Sequence, residues 1–170
     1  MKRLLPKIIS IIIFSNFIAC KEDCNYELLN FIDCSIDLVD NSGKSPVSLK
    51  DSFVSAKSFG IYYQLNFEQA LRPNSCEIHN ENSPTNLKIF TINKFDVSHP
   101  AGFEVTSAFT ILNNDNLYPV SINGATIKLN NHLLLNSPPL RDTIHQFIIN
   151  GYRNDILIAS DTTKAIFLKR

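Results

Sequence analysis

Apolar and polar residues alternate with a period of two along much of this chain. The pattern is clearest at 59–68. There Phe59, Ile61, Tyr63, Leu65 and Phe67 fall on one side and Gly60, Tyr62, Gln64, Asn66 and Glu68 on the other. Successive side chains of an extended strand point to opposite faces, so this run predicts a strand with one buried face. Residues 35–40 predict a shorter strand, with Ile36 and Leu38 on one face and the turn chemistry of Asp40-Asn41-Ser42-Gly43 closing it. Residues 87–95 predict a third. Ile89, Phe90 and Ile92 crowd both of its faces, as in a central strand or at a bulge. After the break at His99-Pro100-Ala101-Gly102, Phe103, Val105, Phe109 and Ile111 stand in phase, with a short helix as the alternative. Asn113-Asn114-Asp115-Asn116 reads as a polar loop.

Residues 143–149 form a clean strand pattern, with His145, Phe147 and Ile149 in phase. Asn150-Gly151 is expected to open a turn, with the return strand at 155–160, an interruption at Asp161-Thr162-Thr163, and a finish over 165–168. The stretch 119–136 is the least regular. Within it, 126–129 fit a strand and 130–135 a single helical turn capped by an Asn, ended by Ser137-Pro138-Pro139. Strands separated by turn signals, with no long amphipathic helix, predict an all-β fold, an antiparallel β-sandwich.

The first twenty residues follow a different rule. Lys2, Arg3 and Lys7 precede an apolar stretch at 8–18 that is interrupted only by Ser10, Ser15 and Asn16. The stretch falls short of the about 20 apolar residues that span a membrane. Ala19 supplies the small residue of a cleavage site and Cys20 follows it. The run Phe17-Ile18-Ala19-Cys20 resembles a bacterial lipoprotein signal. That resemblance implies a lipid on the Cys20 thiol and cleavage just before it. Lys21-Glu22-Asp23 resembles the signal that exports Bacteroidetes lipoproteins to the outer face of the outer membrane. The expected organisation is a signal peptide over 1–19, a lipidated tether over 20–33 and a sandwich domain over 34–170.

Composition narrows the picture further. A chain of 170 residues and 19.2 kDa fits one domain behind a leader. Its 44% hydrophobic content rules out wholesale disorder. The 16 Lys and Arg equal the 16 Asp and Glu, which excludes nucleic-acid binding through bulk positive charge. The leader takes three cations with it, so the mature chain is about three units negative, a balance that favours solubility. The five glycines are dispersed and form no phosphate-cradling loop.

Of the four cysteines, lipidation would consume Cys20. In an oxidising compartment the other three allow one disulfide and one free thiol. Cys24 lies in the polar tether. Cys76 follows the turn-like Arg72-Pro73-Asn74-Ser75, and Cys34 sits beside Ile36, Leu38 and Val39 as a small hydrophobe would. The expected bridge is Cys24–Cys76, the other pairings remaining open. Closing so long a loop stabilises by roughly 3–5 kcal/mol on the chain-entropy model. No metal is expected, because no Cys-x-x-Cys pair occurs and the histidines are scattered singly.

Several segments together resemble a family of short Bacteroidetes lipoproteins built on a domain of unknown function. They are Cys24-Asn25-Tyr26, Glu68-Gln69-Ala70, Cys76, Phe95-Asp96-Val97-Ser98-His99-Pro100-Ala101-Gly102, and the closing hairpin from His145-Gln146-Phe147 through Asp155 to Thr162, Ile166 and Leu168. Ile156 departs from the pattern, where Gly often follows the Asp. The resemblance covers most of the mature chain. It implies a sandwich of immunoglobulin-like character and carries over no catalytic residue.

Candidate chemistry is sparse. No Gly-x-Ser-x-Gly nucleophile turn occurs. His79, His99, His132 and His145 each read as surface or partly packed residues rather than bases. Asp96 with His99, near Glu104, is the sharpest constellation, and its simpler reading is a carboxylate that stabilises a loop. Gly102 is expected to supply a backbone angle that other residues avoid. No Asp-x-Asp-x-Asp-Gly calcium loop occurs. The expected function is therefore a non-enzymatic, lipid-anchored interaction or structural module of the cell envelope. It would need no cofactor, and its partners would be the membrane through Cys20 and an envelope or extracellular protein or glycan. The alternative is a carbohydrate-binding accessory lipoprotein, with Tyr62 and Tyr152 as ligand-contacting rings and Tyr118 as a further candidate.

Overall fold

The run at 59–68 is the backbone of the larger sheet. In the computed structural model, which describes residues 25–69, 75–79, 82–113, 116–120 and 130–170, it is strand β4 (Phe59–Gln69). Along its antiparallel neighbour β1 (Asn25–Asp40), Leu38 lies opposite Ile61, Ile36 opposite Tyr63 and Cys34 opposite Leu65. Both apolar sets thus face the same way. On its other edge β4 pairs with β9 (Asn130–Leu135), which pairs with β7 (Phe109–Asn113) and through it with β8 (Asn116–Pro119). β2 (Val47–Ser48) and β5 (Ser75–His79) attach to β1, β5 in parallel.

The second layer is built on the C-terminal hairpin. β10 (Thr143–His145) runs into β11 (Phe147–Arg153), and the chain returns as β12 (Ile156–Thr162) and β13 (Ile166–Lys169). β6 (Asn86–Thr91) flanks β11, and β3 (Phe53–Ser55) flanks β13 in parallel. The two layers close on one core. Phe59, Ile61, Tyr63, Phe109 and Leu133 from the large sheet meet Leu87, Ile89, Phe147 and Ile149 from the three-stranded sheet β12–β11–β6 and Ile166 and Leu168 from the three-stranded sheet β10–β13–β3, the two small sheets together making the second layer. Phe147 lies 5.8 Å from Phe59 and 5.4 Å from Phe109, ring centre to ring centre. Fully burying a side chain of this kind contributes about 1.5–3 kcal/mol. The all-β, antiparallel sandwich expected from the alternation is what the chain forms.

Several local expectations change. Residues 130–135 are strand β9, not a helical turn. Asn131, Leu133 and Leu135 point inward, and β4 and β7 supply backbone partners on both sides, which outweighs the capping propensity of the Asn residues. Residues 25–33, expected in the tether, lie in β1, where the backbone from Leu29 to Phe31 pairs with Gln69 to Phe67. Strand 103–111 is broken by a 3-10 turn at Thr106–Ala108, which leaves Phe103 exposed and Val105 buried. The strand expected at 126–129 lies outside the described residues.

The hairpin turn also moves. Gly151 lies inside β11, and Asn154 and Asp155 make the turn with φ of 49° and 63°, the left-handed region that tight hairpins require. Gly151 is needed for space: a Cβ there would stand 2.8 Å from Pro84 Cγ and 3.2 Å from the Tyr63 hydroxyl. We expect Gly151→Ala to cost about 1–3 kcal/mol as an overpacking change, read from the urea midpoint.

The interruption in the returning arm has a specific cause. The Phe147 N–H donates to the Thr163 hydroxyl at 3.0 Å, and the Thr163 N–H donates to the Phe147 carbonyl at 2.9 Å. Gln146 Nε2 adds a bond to the Thr163 carbonyl at 2.9 Å. Thr163 is buried. Thr163→Val keeps its shape but strips the Phe147 N–H of its acceptor, with an expected loss of about 1–3 kcal/mol in thermal or urea unfolding.

Candidate functional site: a groove at one end of the sandwich

β6 follows β11 as far as Thr91, opposite Phe147, and then leaves the sheet. Two backbone ties hold the departing chain to the segment that leads into β11. The Ile92 N–H donates to the Gln146 carbonyl at 2.9 Å, and the Leu140 N–H donates to the Phe95 carbonyl at 3.2 Å. Beside these ties a half-open cavity of about 800 Å³ lies between residues 92–97 and 140–144. Its apolar surface comes from Ile92, Val97, Leu140 and Ile144, all exposed. Its charges are Lys94, Asp96, Arg141 and Asp142.

The loop that forms one wall is held from within. Asp96 Oδ1 accepts the N–H of Ser98 at 2.7 Å and the N–H of His99 at 2.8 Å, and both carboxylate oxygens lie 2.9 Å from His99 Nδ1. Desolvation opposes ionisation of this carboxyl. The hydrogen bonds from the His99 ring and from the two backbone N–H groups outweigh it and hold Asp96 below the usual carboxylate range. Gly102 closes the loop at φ 82°, and its N–H donates to the Thr91 carbonyl at 2.7 Å. Asp96 therefore works as the loop-stabilising carboxylate that its spacing suggested, and Gly102 supplies the left-handed turn.

Beneath the groove lies His145. It was expected at the surface or partly packed, but it has no exposed area at all. Thr143 and Ile144 line the groove, and strand alternation turns the next side chain into the core. Its ring sits 5.6 Å from Phe95 and nearly parallel to Phe147 at 6.1 Å. Neither ring nitrogen has a hydrogen-bond partner among the described residues, and burial pushes its pKa below the ordinary 6.5.

The other candidates are dispersed. Tyr62 packs against His132, its cross-strand neighbour, at 4.9 Å, and burial lowers the pKa of that histidine. Tyr152 carries the Lys88 ammonium over its ring at 5.3 Å and receives a 3.4 Å bond from Asn150 Nδ2. The two tyrosines stand out of phase with the core residues of different sheets, so they lie on opposite outer faces and do not share one platform. Cys34 is a free, half-buried thiol whose pKa is raised by burial, and its polar neighbour is the buried Tyr63 hydroxyl. Cys20, Lys21, Glu22, Asp23 and Cys24 lie outside the described residues. Cys76 is on β5, where the parallel register sets Asn25 opposite Ser75. Among the described residues no group of three or more His, Cys, Asp or Glu is arranged to hold a metal.

The groove residues were the ones sequence reasoning passed over. Their only signal was the crowding of apolar side chains on both faces at Ile89–Phe90–Ile92, followed at once by Lys94. Leu140-Arg141 repeats that pairing of an apolar and a basic residue just after Pro138-Pro139. No family model matches the chain, no curated protein matches it, and no solved structure matches it.

Proposed function

We propose that this protein is a lipid-anchored component of a bacterial cell envelope, held to the outer membrane through an acylated Cys20, that binds other molecules rather than transforming them. The observation that carries this reading is the polarity of the sandwich. β1 opens at Asn25, five residues after Cys20, and its 16 residues extend about 50 Å toward Asp40. Asp40 pairs with Phe59, whose ring packs against Phe147, next to the buried His145 under the groove. The start of β1 and the groove therefore lie toward opposite ends of that strand, so an anchor ahead of Asn25 would leave a partner in the groove clear of the bilayer. The charged run Lys21-Glu22-Asp23 favours the outer face of that membrane. The resemblance to Bacteroidetes lipoproteins of unknown function favours the same address. Asp96 and His99, the sharpest catalytic candidates, are engaged with each other and with the loop backbone, which supports a structural role for both.

Metabolic labelling with a radioactive fatty acid tests the anchor. Label is expected in the wild-type chain and lost in Cys20→Ala; an unlabelled wild-type chain overturns the reading. Protease treatment of intact cells then tests the face. Digestion of this protein with a periplasmic control protected is expected, and protection until lysis argues for the periplasmic side.

A further inference from the structure

The loop that forms one wall of the groove is closed on itself. At its base the Gly102 N–H donates to the Thr91 carbonyl at 2.7 Å, and the Thr91 N–H donates to the Phe103 carbonyl at 3.0 Å. Inside it, the Phe95 N–H donates to the His99 carbonyl at 2.9 Å, beside the Asp96 bonds. Beyond its base, the hydrogen bonds that join 92–101 to the rest of the described residues are the two backbone ties, Ile92 to Gln146 and Leu140 to Phe95. Phe95 alone within that stretch is buried, and its ring stands on His145 at 5.6 Å and Phe147 at 6.3 Å. One aromatic plug and two hydrogen bonds therefore hold the segment down.

The plug covers a ring that can gain a charge. His145 has no exposed area, and neither nitrogen is partnered among the described residues. β11 meets it with Phe147 and β13 with its register partner Ile166, while Phe59 and Phe109 of the opposing sheet pack against Phe147. The charged groups of these elements are exposed or engaged elsewhere. Lys164 and Lys169, at either end of β13, are exposed. Arg153 ends β11 and donates to the Ser83 carbonyl at 3.1 Å. Asp40, opposite Phe59, accepts the Ser42 N–H at 2.9 Å. On the groove side, Asp96 and His99 bond each other, and Lys94, Arg141 and Asp142 are exposed on the walls. Burial alone lowers the pKa of His145.

We propose that residues 92–101 form an acid-released lid: Phe95 lifts off His145 when that ring takes up a proton, and the groove loses one wall. The proposal goes beyond the reading of the protein as an envelope binding module and needs neither the anchor nor an identified partner. An imidazolium without water or a counter-charge is too costly to keep buried. Hydrating it by moving Phe147 or Ile166 breaks a ladder of strand hydrogen bonds, whereas lifting Phe95 breaks two. Asp96, held below the usual carboxylate range, stays ionised in mild acid, so the loop keeps its internal bonds as it moves. Above pH 6.5 the ring is neutral with the lid open or closed, and the open fraction is constant. Below 6.5 the open state takes up a proton that the closed state refuses, so the open fraction rises by up to about tenfold per pH unit until the lowered closed-state pKa is reached. A local opening of this kind precedes unfolding of the sandwich.

The test is amide hydrogen exchange on the full chain in detergent at pH 7.5, 6.5 and 5.5, each rate divided by the intrinsic rate at that pH. The Ile92 and Leu140 amides report the two ties. The Ile61 and Leu133 amides, on the central strands β4 and β9, report unfolding of the whole sandwich. The tie amides are expected to be less protected than the sandwich amides at every pH, and their open fraction to rise about tenfold from pH 7.5 to 5.5. His145→Leu should abolish that rise. His99→Asn, which removes the other ring of the loop, should keep it. Phe95→Ala reaches the lid from the opposite side: it should raise the open fraction at pH 7.5 at least tenfold and flatten its pH response, with the Ile61 and Leu133 amides still the better protected. Tie amides that share the protection of the sandwich, a rise that survives His145→Leu, a rise lost in His99→Asn, or a Phe95→Ala lid that opens no more than the wild type overturns the proposal.

Discussion

Lowering the pH from 7.5 to 5.5 will destabilise the folded protein, and His145→Leu will remove a large part of that loss. The His145 ring is fully buried with both nitrogens unpartnered among the described residues, and burial holds its folded pKa below the ordinary 6.5. Above pH 6.5 the ring is neutral in the folded and unfolded chains alike, so it gives no pH dependence there. Below 6.5 the unfolded chain takes up a proton that the folded chain refuses. Stability therefore falls with falling pH, by up to about 1.4 kcal/mol per unit, until the lowered folded pKa is reached. His132 shifts in the same direction and keeps its own share in the variant. At pH 7.5 the leucine variant should be at least as stable as the wild type, because replacing an unsatisfied buried polar group with an apolar one is neutral or stabilising, by up to about 2 kcal/mol. Urea midpoints at pH 7.5, 6.5 and 5.5 measure both effects. Equal pH slopes in the two proteins would exclude this role for His145.

Phe147→Ala is expected to be the most damaging single truncation, at about 3–5 kcal/mol. The ring has no exposed area and touches Phe59, Phe95, Phe109 and His145, so it joins both sheets to the groove loop. A loss of that size is comparable to the whole stability of many domains, about 5–15 kcal/mol. The variant should show a collapsed urea midpoint and a weakened near-ultraviolet signal. A loss below about 1 kcal/mol would mean that the neighbours close over the space. Because His145 and Phe147 are in contact, the double variant should depart from additivity, which a four-protein cycle would quantify.

The strands that bury one face were legible in the sequence because burial imposes a period of two, which 59–68 and 143–149 show. The pattern failed where a different constraint decided. At 130–135 the Asn residues suggested a cap, yet a central position between two partner strands fixed the backbone as extended. At Asn150-Gly151 the dipeptide imitated a turn, although Gly151 is there to admit Pro84. The Asp96 loop was readable from local spacing, since its bonds span at most three residues. The groove was not. Ile92 and Leu140 are brought to one site by hydrogen bonds between segments distant in sequence, and whether Lys94 or Arg141 has a partner is a property of the fold. His145 was in phase with Phe147 and Ile149, so its burial was written in the period; its polar ring argued otherwise.

The 16-residue β1 also sets how the protein bears force. Tension applied between the Asn25 and Asp40 ends of β1 runs along the strand. Eleven register pairs join β1 to β4, and the hydrogen bonds of such a ladder lie across the strands. Under a lengthwise pull they are sheared together instead of being unzipped one after another. A direction of high mechanical resistance is thus built into the sheet, along β1 from Asn25 to Asp40.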